Sequence, residues 1–336
     1  MSAPVLSRSD ADGERFYTWK GDRFYSVTTI LGGGLPKFGI APWSAKVVAE
    51  LVYAELTSRG PNSRGRAAVR AWARAGRAEI VRRQAIGELT SIKLAKQTEQ
   101  DLALRFLKAE PDRVRDAAAA VGIDVHDSAE ATVLRLARET GALFLEDSGR
   151  GVVWPEDLAG YQASFVAWAN DWRPIYLATE ATVFHRAQAY AGTLDAIVMV
   201  QASLLAVAVL AAGGMLPNWL RNAAEHGARV TLVLDYKSGR SIYPEVAMQL
   251  SAYARAEFVG LPDEVTEKPL PKIDGGAVLH LTPHGHHLRL ADIGPATFEH
   301  FLYAREGYRW GKQTARYVLG PDLSGPRREA SEASDV

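Results

Sequence analysis

The sequence predicts a mixed α/β or α+β core that carries a helical N-terminal half. Two observations lead to this class. From about residue 41 to 107, and again from about 114 to 140, the chain is rich in Ala, Arg, Leu and Glu, which is a helical composition. After Pro174 the pattern becomes strand, strand, strand, helix, strand, strand, helix. The 336 residues are 47% hydrophobic, enough for one large core with insertions or for two small ones.

The elements follow in order. Residues 15–30 alternate aromatic and polar side chains around Gly21-Asp22, predicting a short hairpin that ends in Tyr25-Ser-Val-Thr-Thr-Ile30. Gly32-Gly-Gly-Leu-Pro36 then breaks regular structure. Pro61 interrupts the first helical stretch and Gly122 the second. Pro155 opens a helix that ends near Trp172. Strands are predicted over 178–185, 190–200 and 229–236, and a helix from Pro244 through Phe258, stopped by Gly260-Leu-Pro262. A hairpin over 277–290 turns at His284-Gly285, and a last helix runs from 297 to about 314. The final residues, 319–336, hold few apolar side chains and are expected to be disordered.

Composition excludes several function classes. Without cysteine there can be no disulfide, thiol catalysis, cysteine-ligated zinc or iron–sulfur cluster. Lys+Arg and Asp+Glu both total 39, so net charge names no partner. Its distribution is more telling: between Arg59 and Arg83 the only acid is Glu79. Arg66, Arg70, Arg74 and Arg77 follow i, i+4, i+8, i+11 spacing, which makes one arginine stripe able to track phosphates. Trp72 beside it is either a stacking platform or core. The N-terminus lacks the apolar segment of a signal peptide, so a cytoplasmic location is expected. Residues 196–220 carry no charge, but Gly213, Gly214 and Pro217 interrupt them, and a buried strand running into an apolar helix is expected rather than a membrane span. Gly32-Gly33-Gly34 is followed by Leu-Pro-Lys and is no P-loop.

The apolar run Leu232-Val-Leu-Asp235-Tyr-Lys237-Ser-Gly239 ends with an acid and an amine two residues apart, hence on one face of a strand. Burying that pair is costly unless it forms an ion pair, binds a metal or performs chemistry. Gly192-Thr-Leu-Asp195 opens another strand with a carboxylate, and Glu180 lies inside a third. Gly122-Ile-Asp-Val-His126 offers an imidazole at a helix start, and Gln249 and Tyr253 share one helical face after the Asp-x-Lys strand. Acids, an imidazole and a lysine together describe a hard-cation phosphodiesterase site, since Mg²⁺ and Mn²⁺ favour oxygen ligands and Mn²⁺ tolerates an imidazole. The cluster His280, His284, His286 and His287 has neither cysteine nor acid beside it and is not read as a zinc site.

In combination, Gly192-Thr-Leu-Asp195, Asp235-Tyr-Lys237-Ser-Gly, Gln249-Leu-Ser-Ala-Tyr253 and Gly122-x-x-x-His126 resemble the RecB-like branch of the PD-(D/E)XK nuclease superfamily. The chain is most similar to actinobacteriophage exonucleases related to CRISPR-associated RecB-type exonucleases, over residues 23–312. The resemblance implies a restriction-endonuclease-like core, a central mixed sheet flanked by helices. It implies an N-terminal hairpin and helical DNA-binding subdomain over 1–115, and a nuclease core over 116–318 with an apolar insertion near 201–228. His126, Asp195, Asp235 and the Tyr236 carbonyl would hold Mg²⁺ or Mn²⁺, with Glu180 as auxiliary ligand. Lys237 would position or activate water, and Gln249 and Tyr253 would steady their helix or contact DNA. Arg66, Arg70, Arg74 and Arg77 would meet the DNA backbone. The implied activity is that of a DNA exonuclease in phage recombination or replication, in the cytoplasm of the bacterial host. Its partners would be linear DNA ends, duplex or single-stranded, a phage recombination protein and further copies of the chain, with no membrane. Two alternatives share these motifs: a structure-selective endonuclease of the junction-resolvase kind, and an inactive DNA-binding recombination accessory. Relatives that hold an iron–sulfur cluster use four cysteines, which this chain lacks.

Overall fold

Strand β5 (Tyr190–Gln201) organises the sheet because it pairs along both edges. The computed structural model describes residues 6–9, 14–36, 40–57, 64–85, 98–140, 154–239 and 241–320. One edge of β5 runs antiparallel to β4 (Ile175–His185) along its length. The other edge is shared. Tyr190 and Ala191 pair parallel with Tyr25 and Ser26 of β3 (Asp22–Ser26), whereas Ala196–Gln201 pair antiparallel with β6 (Arg229–Lys237). Between those two stretches the sheet forks, and the fork is residues 192–195, the Gly-Thr-Leu-Asp segment.

The remaining strands extend both arms of one mixed sheet. Beyond β3 lie β2 (Arg15–Trp19) and β1 (Ser7–Ser9). β7 (Phe258–Gly260) pairs with β4 and with β8 (Glu267–Pro269). β9 (Gly275–Thr282) lies parallel to β6 and antiparallel to β10 (Gly285–Ala291).

Helices cover both faces. On one, α5 (Glu110–Thr140), α6 (Ala159–Trp172), α7 (Ala202–Ala211) and α8 (Asn218–Glu225) bury Val125, Phe165, Trp168, Leu205 and Leu220 against Val198, Leu232, Leu234 and Tyr236. On the other, α1 (Val27–Gly34), α9 (Glu245–Ala254) and α10 (Pro295–Arg309) bury Ile30, Leu250 and Phe301 against Ile197 and Val233. The run Leu232–Tyr236 is apolar on both faces because β6 is interior, and Asp235 follows Val233 into the second. α2 (Ile40–Thr57), α3 (Arg64–Ala85) and α4 (Glu99–Lys108) form the helical arm, where Trp72 packs with Ala68, Ile80 and Leu102. α7 and α8 fill the segment between β5 and β6 and cover the core, and no helix among the described residues is long and apolar enough to cross a membrane.

Four expectations are corrected. The hairpin strand ends at Ser26, and Val27 starts a helix that continues through the three glycines. Those glycines bring α1 against α10: a Cβ on Gly34 would lie 1.9 Å from the Ala304 carbonyl oxygen. α5 runs unbroken past Gly122, where a Cβ would make only an ordinary contact, 3.4 Å, with Ser238 Oγ in the turn after Lys237. α9 stops at Ala254, and Phe258 instead enters a strand, stacked on Phe184 with ring centres 5.2 Å apart. The boundary drawn at residue 115 falls inside α5, and the N-terminal hairpin belongs to the main sheet through β3. From residue 321 on, the tail lies outside the described residues.

Replacing Gly34 by alanine is expected to destabilise the protein by about 1–3 kcal/mol through overpacking of α1 on α10. Gly320→Ala, with nothing within 4 Å, should stay within about 0.5 kcal/mol. Urea unfolding midpoints of the two variants check this.

Candidate metal centre

Asp235 sits on interior strand β6 with only 2% of its surface exposed. Gln249 Nε2 on α9 donates to its Oδ1 at 2.9 Å, and the Lys237 ammonium lies 2.6 Å from its Oδ2. Burial pushes the Asp235 carboxyl up to about 6; the neighbouring Asp195 charge adds to that, while Lys237 pulls it back. For Lys237 burial opposes the charge, but Asp235, Asp195 and the hydrogen bond to Asp235 outweigh it and hold the ammonium above the usual lysine range.

Asp195 reaches across the fork. Its Oδ2 accepts the backbone N–H of Tyr236 at 2.6 Å and lies 3.6 Å from His126 Nδ1. His126 Nε2, on α5, is 2.8 Å from the Tyr236 carbonyl, which can only accept, so this nitrogen carries the hydrogen. Both backbone groups of Tyr236 therefore turn to site residues. Its ring is anchored in the core beneath, where its hydroxyl donates to that of Tyr176 at 3.3 Å.

Glu180 completes the cluster at a backbone cost. It has φ +45°, a left-handed conformation in mid-strand that normally costs about 1–3 kcal/mol. Inward alternation slips here on both strands: Ala178 and Ala181 share one core, and so do Leu194 and Ile197. One ligand atom each from His126, Glu180 and Asp195 lie within 4.8 Å of one another, the one such group among the described residues. Burial, followed by Asp195, Glu130 and Asp127, holds the Glu180 carboxyl well above the usual range, against a small opposing pull from Arg15.

These groups fit a hard cation. Ligands about 2.1 Å from an octahedral ion lie about 3 Å apart when adjacent and about 4.2 Å when opposite. With Nε2 committed to the Tyr236 carbonyl, His126 offers Nδ1; its 3.6 Å from Asp195 Oδ2 lies between the adjacent and opposite sizes, and the 4.8 Å span leaves little adjustment for the three side chains. Carboxylates, a carbonyl and one imidazole suit Mg²⁺ or Mn²⁺.

Not every residue singled out from the sequence converges. Tyr253 is buried, and its ring covers Gly192, where a Cβ would meet Cε1 at 2.5 Å. It steadies α9 rather than facing a ligand. Arg70, Arg74 and Arg77 are exposed along α3 in the helical arm; the Arg66 side chain lies outside the described residues. Trp72 is core. His280 bonds the Gly239 carbonyl at 2.6 Å, and His286 lies 3.5 Å from Asp171. Asp127 and Glu130 had not been singled out, although Glu130 is four residues from His126 and so shares its helical face. Comparison with protein-family models and with curated proteins returned no match.

The cluster carries a pH signature. The Asp235 carboxyl is raised from its ordinary 3.8 to about 6, so its contribution to stability is whole below about pH 4 and is lost as pH rises through about 6. Ligands must be deprotonated to hold a cation. Millimolar Mg²⁺ or Mn²⁺ should therefore raise the melting temperature more at about pH 7.5 than at about pH 5, and Asp195→Ala should abolish the increment. Thermal melts with and without chelator measure both.

Proposed function

We propose that this protein is a Mg²⁺- or Mn²⁺-dependent DNA exonuclease built on a restriction-endonuclease-like core of the RecB-like PD-(D/E)XK type. The observation that carries the reading is the gathering of Glu180, Asp195 and His126 beside the ion pair of buried Asp235 and half-buried Lys237, at the fork between β3 and β6. Two half-buried carboxylates and one fully buried one stand beside a single lysine, an excess of negative charge that a cation would offset. The order of motifs along the chain, Gly122-x-x-x-His126, then Gly-Thr-Leu-Asp195, then Asp235-Tyr-Lys237, then Gln249–Tyr253, supports the same reading.

His126, Glu180, Asp195 and the Tyr236 carbonyl would hold the cation, with Asp235 adjoining. When bound, the cation supplies charge neutralisation at the phosphate and acidifies a water. Lys237, kept protonated by the carboxylates around it, acts as a fixed hydrogen-bond donor that orients the attacking water. Asp235 holds that lysine in place, and Gln249 holds Asp235. The water oxygen bonds to phosphorus as the P–O bond to the leaving nucleotide breaks; the proton lost by the water passes to solvent, and solvent protonates the departing oxygen. Arg70, Arg74 and Arg77 on α3 would bind backbone phosphates without reading sequence.

Asp195→Ala, Glu180→Gln and Lys237→Ala should each lower cleavage of linear DNA by about 10²-fold or more while DNA affinity changes less than about 3-fold. End-labelled linear duplex, single strand and closed circle, each with Mg²⁺ or Mn²⁺, form the assay. Cutting of the closed circle would replace the exonuclease with a structure-selective endonuclease. Wild-type protein that binds DNA yet cleaves none of the three would leave only a DNA-binding accessory.

A further inference from the structure

Arg15 stands across the fork from the carboxylates. β3 aligns Ser26 with Ala191 of β5, and β2 continues the ladder with Phe16 opposite Tyr25, which sets Arg15 level with Ala191. Tyr17 lies two positions farther from Asp195, yet its phenol spans to Thr193 Oγ1 at 3.1 Å. Thr193 in turn lies 3.3 Å from Thr182 Oγ1, on the strand that bears Glu180. Arg15 shares the face of Tyr17, starts nearer the site, and has the longer side chain. Its backbone is tied down by Thr29, whose hydroxyl donates to the Arg15 carbonyl at 3.1 Å. Its charge is felt at Glu180 and at the Tyr17 hydroxyl.

We propose that Arg15 is a phosphate-binding residue of this site, presented by the N-terminal hairpin from the side opposite α5. The inference rests on the cation-site reading above. In the metal-free protein Arg15 makes no ion pair with Glu180; its charge reaches that carboxyl only as the weakest of the influences on it. Once a cation neutralises that carboxyl, the guanidinium is left beside a positively charged centre with no carboxylate to neutralise. A substrate phosphate then becomes its natural partner, because a guanidinium matches two phosphate oxygens at once and stays charged at any working pH. The phosphate is either a backbone diester next to the scissile bond or the monoester at a DNA end.

The test uses the full chain with Arg15→Gln and Arg15→Lys. Three quantities are measured: Mn²⁺ binding by calorimetry, melting temperature, and affinity for a short duplex across a salt series. The duplex carries either a phosphate or a hydroxyl at its labelled end. Arg15→Gln is expected to bind Mn²⁺ at least as tightly as wild type. It should lose about tenfold or more in DNA affinity, with the salt slope reduced by about one. Arg15→Lys should restore the slope but only part of the affinity. A loss confined to phosphorylated ends identifies the terminal monoester; an equal loss on both identifies a backbone diester. If Arg15→Gln alters stability or Mn²⁺ binding while DNA affinity and slope stay at wild-type values, Arg15 bears only on the charge of the site and the proposal is overturned. Should Arg15→Gln fail to fold, the same comparison is read from Arg15→Lys, where unchanged affinity overturns it. Wild-type protein that binds neither Mn²⁺ nor DNA would instead remove the cation-site reading itself.

Discussion

Crowding of negative charge at the sheet fork is the constraint to which the surrounding structure answers. Glu180 and Asp195 present oxygens within 4.8 Å of each other, and Asp235 is buried on the neighbouring strand. Two unit charges about 4 Å apart repel by about 4 kcal/mol at an effective dielectric of about 20, and burial adds desolvation. The metal-free protein relieves this in two ways. Glu180 and Asp235 hold protons above the usual carboxylate range, and Lys237 lends positive charge as the ion-pair partner of Asp235. A divalent cation would relieve it more completely than either.

The fold supports that crowding through contacts away from the charges. The fork exists because β3 and β6 share one edge of β5 without meeting, which frees residues 192–195 from the ladder on that side. Tyr253 then packs on Gly192 where any side chain would collide, and the same helix places Gln249 on Asp235. α5 passes the turn after Lys237 at Gly122, and one helical turn later His126 reaches Tyr236. Gly192 therefore sets how closely α9 approaches, and the polar residues use that closeness.

Much of this was legible in the sequence where a residue's role depends on its near neighbours. The three long strands, the Asp235–Lys237 pair on one face and the helix bearing Gln249 and Tyr253 follow from periodicities of two and 3.6. What was not legible depends on partners far along the chain. Gly32-Gly-Gly34 reads as a break until α10 supplies the reason for three glycines in a helix. Glu180 stands out in the sequence as an acid inside a strand, but neither its left-handed backbone nor the matching slip opposite it leaves a compositional mark. Asp127 and Glu130 matter only once α5 lies against β4.

The geometry also divides labour among the acids differently from the motif order alone. Asp235 has one oxygen held by Gln249 and the other by Lys237, whereas Glu180 joins His126 and Asp195 in the tightest group of donors. A carboxylate already committed to an ammonium must give up part of that bond to enter a cation's shell; one held only by strain and repulsion gives up nothing. Strain at Glu180 persists only if the surroundings over-determine it, and the paired slip in β4 and β5 does so. On that balance Glu180 would be the better-prepared ligand of a bound cation, and Asp235 the partner that holds Lys237 charged.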